Sequence, residues 1–296
     1  MYILKQYNNL TCITELELNQ PNFRQAWDHF SPKLEEPSIV NDIHVLDYYD
    51  FEKQVRNADK NFAFDLVEKL LMGDAFVLKQ AFTESSCKDI IDWCFNNISQ
   101  TETGFHKILD GVPNFHRIID EETTKKYSTI QIRHSHYFFR WNKDTFNIWP
   151  KVTPFWEVAK LVGGYDKDEY ISNVPSIGTT DRLQIIRYPS GGGGLKPHVD
   201  AKKNQKVIYG LMLSTRGESY QEGGFCADGQ YGDKVDFEMY LSAGDILMHY
   251  PTVVHYVEEV DPKSKLQWDS KNGRWFVGFY SNDSDYLKDR ATAKIL

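Results

Sequence analysis

LQIIRYPSGGGGLKPHVD, residues 183–200, is where the texture of this chain changes. A six-residue, largely apolar run meets a proline–glycine turn, and a second short segment then ends in His-Val-Asp. More short runs follow, each bounded by turn residues: KVIYGLMLS (206–214), FEMYL (237–241), DILMHY (245–250), VVHYV (253–257) and RWFVGFY (274–280). Runs this short, at this spacing, predict strands of a β-sandwich or barrel.

Upstream the periodicity is helical. In FAFDLVEKLLM (62–72), Phe62, Leu66, Leu70 and Leu71 fall on one face, and Gly73 is placed to end the helix. AFVLKQAF (75–82) predicts a strand. A second helix over 86–98 presents Ile90, Ile91, Cys94, Phe95 and Ile98, with Ser86 and Asp89 resembling a capping box. Thr153-Pro154 predicts the cap and first turn of a third helix, 154–162, closed by Gly163-Gly164. The first 60 residues are of mixed polarity, with turn residues around Pro21 and Pro32. There is no internal repeat, so the expectation is one β-domain with an N-terminal helical elaboration.

The chain has 296 residues, 41% hydrophobic and 14% aromatic, enough for a sizeable core. A net charge of −8 and a pI near 5.6 offer no basic surplus for phosphates, which argues against nucleic acid as a partner. Cys12, Cys87, Cys94 and Cys226 form no CxxC pair, so small core residues are the expected reading. MYILKQYNNLTC lacks the pattern of a secretory signal, and no run is long enough to span a membrane. A cytoplasmic protein is the default expectation.

His198-Val199-Asp200 is the single H-x-D or H-x-E in the chain. On a strand, residues i and i+2 face the same way, so both side chains would enter one cavity. An imidazole and a carboxylate begin a two-histidine, one-carboxylate triad for ferrous iron. An isolated H-x-D reads more readily as a surface histidine and a loop aspartate, so the motif needs its context. A second imidazole is offered by His255, in PTVVHYVEEV, and by His249 inside the preceding apolar run; His255 is the preferred candidate. Arg274 opens an apolar strand, where burial would demand an anionic partner such as a carboxylate. Its alternative is the end of a polar loop. The glycine run 191–194 lacks the Lys-Ser/Thr of a phosphate loop and predicts a mobile turn. His134 and His136, in RHSHYFFRWN (133–142), share a face and predict pocket wall or plain core rather than a second metal site.

RYPSGGGGLKPHVD (187–200), LMLS, Gly223-Gly224, GDILMHYPTVVHYV and GRWFVGFY, taken in order over residues 181–282, resemble the prolyl-4-hydroxylase-like group of iron(II)/2-oxoglutarate oxygenases. The resemblance implies a double-stranded β-helix (jelly-roll, cupin-like) core over 181–296, with the elaboration and early strands in 1–180. It implies iron(II) on His198, Asp200 and His255, and 2-oxoglutarate held by Arg274 and Tyr188. Alternation from Tyr188 and Arg274 then adds Gln184 and Tyr280 as candidate substrate contacts, with ordinary wall residues as their alternative. Dioxygen would be consumed, succinate and carbon dioxide released, and ascorbate would be an optional stimulant. Two departures stand out: 19 residues separate His255 from Arg274, implying an inserted loop, and Met212 stands where the group often has tyrosine. Asp200 argues against a halogenase. The expected substrate is a small polar or amino-acid-like molecule under loops 215–236 and 258–273. A protein or peptide prolyl hydroxylase, a non-catalytic cupin-like binder or sensor, and a zinc hydrolase are the rival readings.

Overall fold

Alternation along residues 273–283 sets the layering of the molecule. Trp275, Val277 and Phe279 are buried on one side of this strand, whereas Arg274, Phe276 and Tyr280 line a cavity on the other. The computed structural model describes residues 21–127 and 130–295. Cys12 and the N-terminal stretch read for a targeting signal lie outside them.

The chain runs α1 (Pro21–Phe30), β1 (Ile43–Asp47), α2 (Tyr48–Arg56), α3 (Lys60–Leu71), β2 (Ala75–Lys79), α4 (Glu84–Asn96), β3 (Glu102–Thr103) and β4 (Phe115–Ile119). It continues through α5 (Glu121–Thr124), β5 (Gln131–Phe139), α6 (Ile148–Val162), β6 (Thr179–Pro189), β7 (Gly193–Val199), β8 (Ile208–Met212) and β9 (Gly224–Asp228). Last come β10 (Lys234–Asp236), β11 (Ile246–His249), β12 (His255–Val260), β13 (Gly273–Asp283) and β14 (Lys294–Ile295).

Strands β1, β2 and β5–β13 form one hydrogen-bonded path folded into two leaves, with β3, β4 and β14 attached beside it. β6, β13, β8 and β11 are successive neighbours in one leaf; β7, β12, β9 and β10 are successive neighbours in the other. Apart from the β9–β10 hairpin, consecutive strands from β6 to β13 therefore shuttle between leaves, which is the winding of a jelly roll. β5 joins the leaves, pairing with β6 over residues 134–139 and with β7 at Gln131 and Ile132. β1 and β2 widen the first leaf beyond β11. The molecule is thus mainly β with flanking helices, as the strand spacing predicts.

Helices cover the outer face of the first leaf. Phe279 of β13 meets Phe155 and Trp156 of α6 at ring distances of 4.9 and 5.3 Å. Trp93 of α4 packs on Phe138 of β5, and the indole of Trp27 donates to the Val162 carbonyl at 2.8 Å. Each fully buried side chain of this size contributes about 1.5–3 kcal/mol, so this layer stiffens the leaf that forms one cavity wall.

Several expectations need correction. FEMYL is a 3₁₀ turn at Phe237–Met239, because the Asp236 carboxylate accepts from Glu238 N and caps it. α4 is capped by Thr83, which accepts from Ser86 N, and not by Ser86. α6 starts six residues before Pro154, since the Asp144 carboxylate accepts from Ile148 N and Trp149 N. The stretch after Pro21 is a helix. The glycine turn is tied down rather than loose: Gly191 N and Gly192 N both donate to Val260 O at 2.9 Å. Among the described residues, no helix is long and apolar enough to cross a membrane.

Candidate active site

β7 and β12 run antiparallel with His198 opposite His255, and Asp200 follows one residue after β7 ends. The two rings stand 4.2 Å apart, and His255 Nε2 lies 3.7 Å from Asp200 Oδ2. One ligand atom from each of His198, Asp200 and His255 falls within 4.8 Å of the others. His198 Nδ1 faces Lys196 O at 3.1 Å, and His255 Nδ1 faces Val253 O at 2.9 Å. A carbonyl can only accept, so Nδ1 donates on both rings and Nε2 is the atom each would offer to a metal. Burial, then the neighbouring His255, push His198 down to about 4, leaving it neutral at pH 7. Two imidazoles and a carboxylate, converging on one point, fit a ferrous ion.

His249, the competing histidine, sits on β11 in the other leaf. Its Nδ1 faces Tyr250 O at 3.0 Å, its ring is 4.9 Å from that of His255, and burial pushes it down to about 3. It lines the cavity as wall but stays outside the cluster, which is the only such group among the described residues.

Arg274 is fully buried, and its charge is balanced by a residue the sequence did not advertise. Glu238 Oε1 accepts from Arg274 Nε at 2.6 Å, while Oε2 accepts from the Tyr220 hydroxyl at 2.6 Å. Phe225 N also donates to Glu238 Oε1, at 2.8 Å. Burial opposes ionisation of Glu238, but the Arg274 charge and these donors hold its carboxyl below the usual range. Gly224 makes the arrangement possible: a Cβ there would stand 2.3 Å from Glu238 Cγ. Met212 Sδ takes Arg274 Nη2 at 3.0 Å, which is how that departure from tyrosine is used. Arg274 Nη1 is left with no partner although the residue lines the cavity. A buried donor of a charged group is costly to leave unmade, and a carboxylate is the kind of partner that would satisfy it. Tyr188 is opposite Arg274 in the sheet, with its ring parallel to Phe276 at 6.1 Å.

All five residues singled out from the sequence, His198, Asp200, His255, Arg274 and Tyr188, line a single cavity of about 230 Å³ water-accessible volume, together with Gln184 and Tyr280. Reasoning from sequence missed Glu238, Arg133 and Arg182. Arg182 was signalled by the alternation of β6 that places Tyr188 and Gln184 inward; Arg133 lies on a different strand, whose facing is set by its register with β6. His134 and His136 face away from the cavity and stack with His116 on the outer side of β5, so they are core and not pocket wall. Loop 258–273 does not roof the cavity either. Arg187, pointing outward from β6, donates to Trp268 O at 2.7 Å and to Ser270 O, pulling the loop to the back of the leaf. Of residues 215–236, only Phe225 reaches the lining. The mouth is instead bordered by Arg290, Ala291, Thr292 and Ala293, and β14 continues that segment by pairing with His198 and Val199 of β7.

Fold and site together define a jelly roll with a His-Asp-His cluster in one leaf facing a buried arginine in the other. No protein-family model and no curated protein matches the chain. Among solved structures it is similar to a full-length Neurospora crassa protein in complex with alpha-KG and thymine: 13% identity, 84% of this chain and 88% of that one, TM-score 0.48. It is also similar to a Pseudomonas putida prolyl-4-hydroxylase (9% identity, 70% and 91% of the chains, TM-score 0.44). A Trichoplax adhaerens prolyl hydroxylase bound to a hypoxia inducible factor peptide fragment gives 11% identity, 79% and 92% coverage, and TM-score 0.46. At these scores the reading of the site is left to its own residues.

Proposed function

We propose that the protein is an iron(II)- and 2-oxoglutarate-dependent dioxygenase that hydroxylates an unactivated C–H bond of a small polar or amino-acid-like molecule. One observation carries this reading: a free metal-ligand triad and an arginine with one unpartnered N–H group share a cavity. His198, Asp200 and His255 would hold the metal on one face, leaving other positions open. Arg274, braced by Glu238, would grip the far carboxylate of 2-oxoglutarate with Nη1, and Tyr188 would offer its hydroxyl beside it. The bound iron and cosubstrate supply the oxidation, with dioxygen consumed and succinate and carbon dioxide released. The protein's share is to orient both partners and to keep water out, which the apolar walls of Phe276, Met212 and Phe225 support.

The segment 290–293 beside the cavity favours a small molecule over a peptide, which needs an open groove. The test is succinate production by protein loaded with iron(II) anaerobically, then exposed to oxygen with 2-oxoglutarate. Separate incubations receive a low-molecular-weight extract and a dialysed protein extract. Oxygen-dependent succinate stimulated by the small-molecule fraction is expected. Stimulation by the protein fraction alone would replace the substrate class with a peptide, and no succinate in any arm would sink the oxygenase reading in favour of a binder.

A further inference from the structure

The chain carries a net charge of −8, yet the charged side chains lining the cavity are four arginines and a single acid, Asp200. Arg274 is paired with Glu238, and Arg290 with Asp285. Arg182 of β6 donates to Gln184 Oε1 at 3.1 Å and is opposite Tyr280, at the far end of the cavity from Arg274. Arg133 of β5 has no acidic partner among the described residues. Its Nε–H is buried and unmatched, and it sits among the hydroxyls of Tyr188, Tyr137 and Tyr280.

The register of three strands says which end Arg133 serves. β5 lies on β6 with His134 opposite Arg187, which puts Arg133 beside Tyr188. β13 lies on the other side of β6, with Arg274 opposite the same Tyr188. Arg133, Tyr188 and Arg274 therefore stand abreast, with roughly 10 Å across the two strand spacings between the outer pair. Two arginine side chains can meet across that distance, and the charges of both act on the Tyr188 hydroxyl between them. Arg133 hydrogen-bonds to that hydroxyl. A guanidinium can only donate, so the Tyr188 oxygen accepts and its own O–H is left to meet an acceptor in the cavity. Each flanking arginine also keeps an unmatched N–H group, Nε on Arg133 and Nη1 on Arg274.

Charge decides what such a row takes. Glu238 already balances Arg274, so that pair offers a geometry but no surplus charge. On β8, Met212 brings only a thioether to this end. A carboxylate buried against a neutralised arginine would lack a counter-charge, which is costly in a desolvated site. Arg133 is the cation with charge to spare at this register. We infer that Arg133 binds the far carboxylate of 2-oxoglutarate together with Arg274, from the opposite side of Tyr188, and so makes the cosubstrate site selective for a dicarboxylic oxo acid. This inference rests on the oxygenase reading and adds a second cation to the cosubstrate end. The guanidinium fork matches a carboxylate, and the Tyr188 O–H is aimed between the two forks.

The experiment uses the full chain with manganese(II) in place of iron, titrated calorimetrically with 2-oxoglutarate. A second titration uses 2-oxobutyrate, which has the same oxo-acid head and no far carboxylate. Arg133→Gln should weaken 2-oxoglutarate binding by about tenfold or more, and leave 2-oxobutyrate binding within about twofold of wild type. Arg133→Lys, which keeps the charge but loses the fork, should be intermediate, and it serves if the glutamine variant fails to fold. Manganese binding without any oxo acid, measured by equilibrium dialysis, should not change in either variant. Equal losses of both oxo acids would make Arg133 a merely structural residue. Unaltered 2-oxoglutarate binding would place it outside the cosubstrate site, and either result overturns the inference. Wild type that binds neither oxo acid removes the oxygenase reading itself. Wild type that binds 2-oxoglutarate no better than the variants do removes only the role of Arg133.

Discussion

Glu238 never reaches the cavity, yet it governs how Arg274 meets a ligand there. Glu238→Gln leaves a buried guanidinium without its counter-charge, and breaking such a pair costs about 3–5 kcal/mol. The sign of the pH dependence follows from the lowered carboxyl. Its stabilisation is complete above the unfolded value, about 4.3, and is lost as pH falls through the folded value. Urea unfolding should therefore show a gap between wild type and Glu238→Gln that is full at pH 7 and narrows in acid. A gap that widened below pH 4 would contradict the pairing. The 2-oxoglutarate requirement of the variant should rise as well, because Arg274 loses its brace. The two histidines make a second residue-level contrast. His255→Ala should abolish tight iron(II) binding, whereas His249→Ala, outside the ligand cluster, should retain the metal in an equilibrium dialysis measurement. Retention by His255→Ala and loss by His249→Ala would exchange their roles.

β6 shows how one element serves two layers. Its even residues, Arg182, Gln184 and Tyr188, face the cavity, while Asp181 at its start is buried against helix α6. There Asp181 Oδ1 accepts from Lys160 Nζ at 2.8 Å and from the Ser281 hydroxyl at 2.9 Å, with Arg140 Nε 3.6 Å from Oδ2. Asp181→Ala would strand two cations in the interior and should cost about 3–5 kcal/mol in urea unfolding. A loss under about 1 kcal/mol would mean the cluster is solvated like a surface pair. The strand was legible in the sequence because its alternation and the turn at Pro189 agree. His198, Asp200 and Arg274 were legible because their chemistry is unusual for apolar strands. Glu238 was not, because a short 3₁₀ turn has no period and the carboxylate's partner is distant in the chain. Arg133 was hidden for a different reason: its facing is fixed by the register of β5 on β6, which no single segment reveals, whereas Arg182 lay one step further along the alternation that gave Gln184. α6 was cut short because Thr153-Pro154 imitates a helix start, while Asp144, the true cap, lies outside that window.

Across the whole molecule, positive charge is concentrated inside an acidic shell, and the walls that concentrate it come from both halves of the chain. β5 and β6 supply the unpaired arginines, β7 and β12 the ligand cluster, and residues 290–293 border the mouth before β14 pairs beside His198. That last segment places a protease-sensitive bond at the edge of the site, after Arg290. Cutting there would sever β14 from the body of the chain, held to β7 by two residue pairs only. Filling the cavity should clamp the segment and slow the cut, in proportion to the fraction of cavities filled. A trypsin time course read by mass spectrometry, with and without metal and 2-oxoglutarate, should then show the fragment ending at Arg290 accumulating more slowly as each is added. Cleavage at an unchanged rate would place the segment outside the working wall. If the rate falls, the digestion becomes an occupancy gauge for this cavity that needs no turnover, and so a way to screen for the natural substrate before its oxidation product is known.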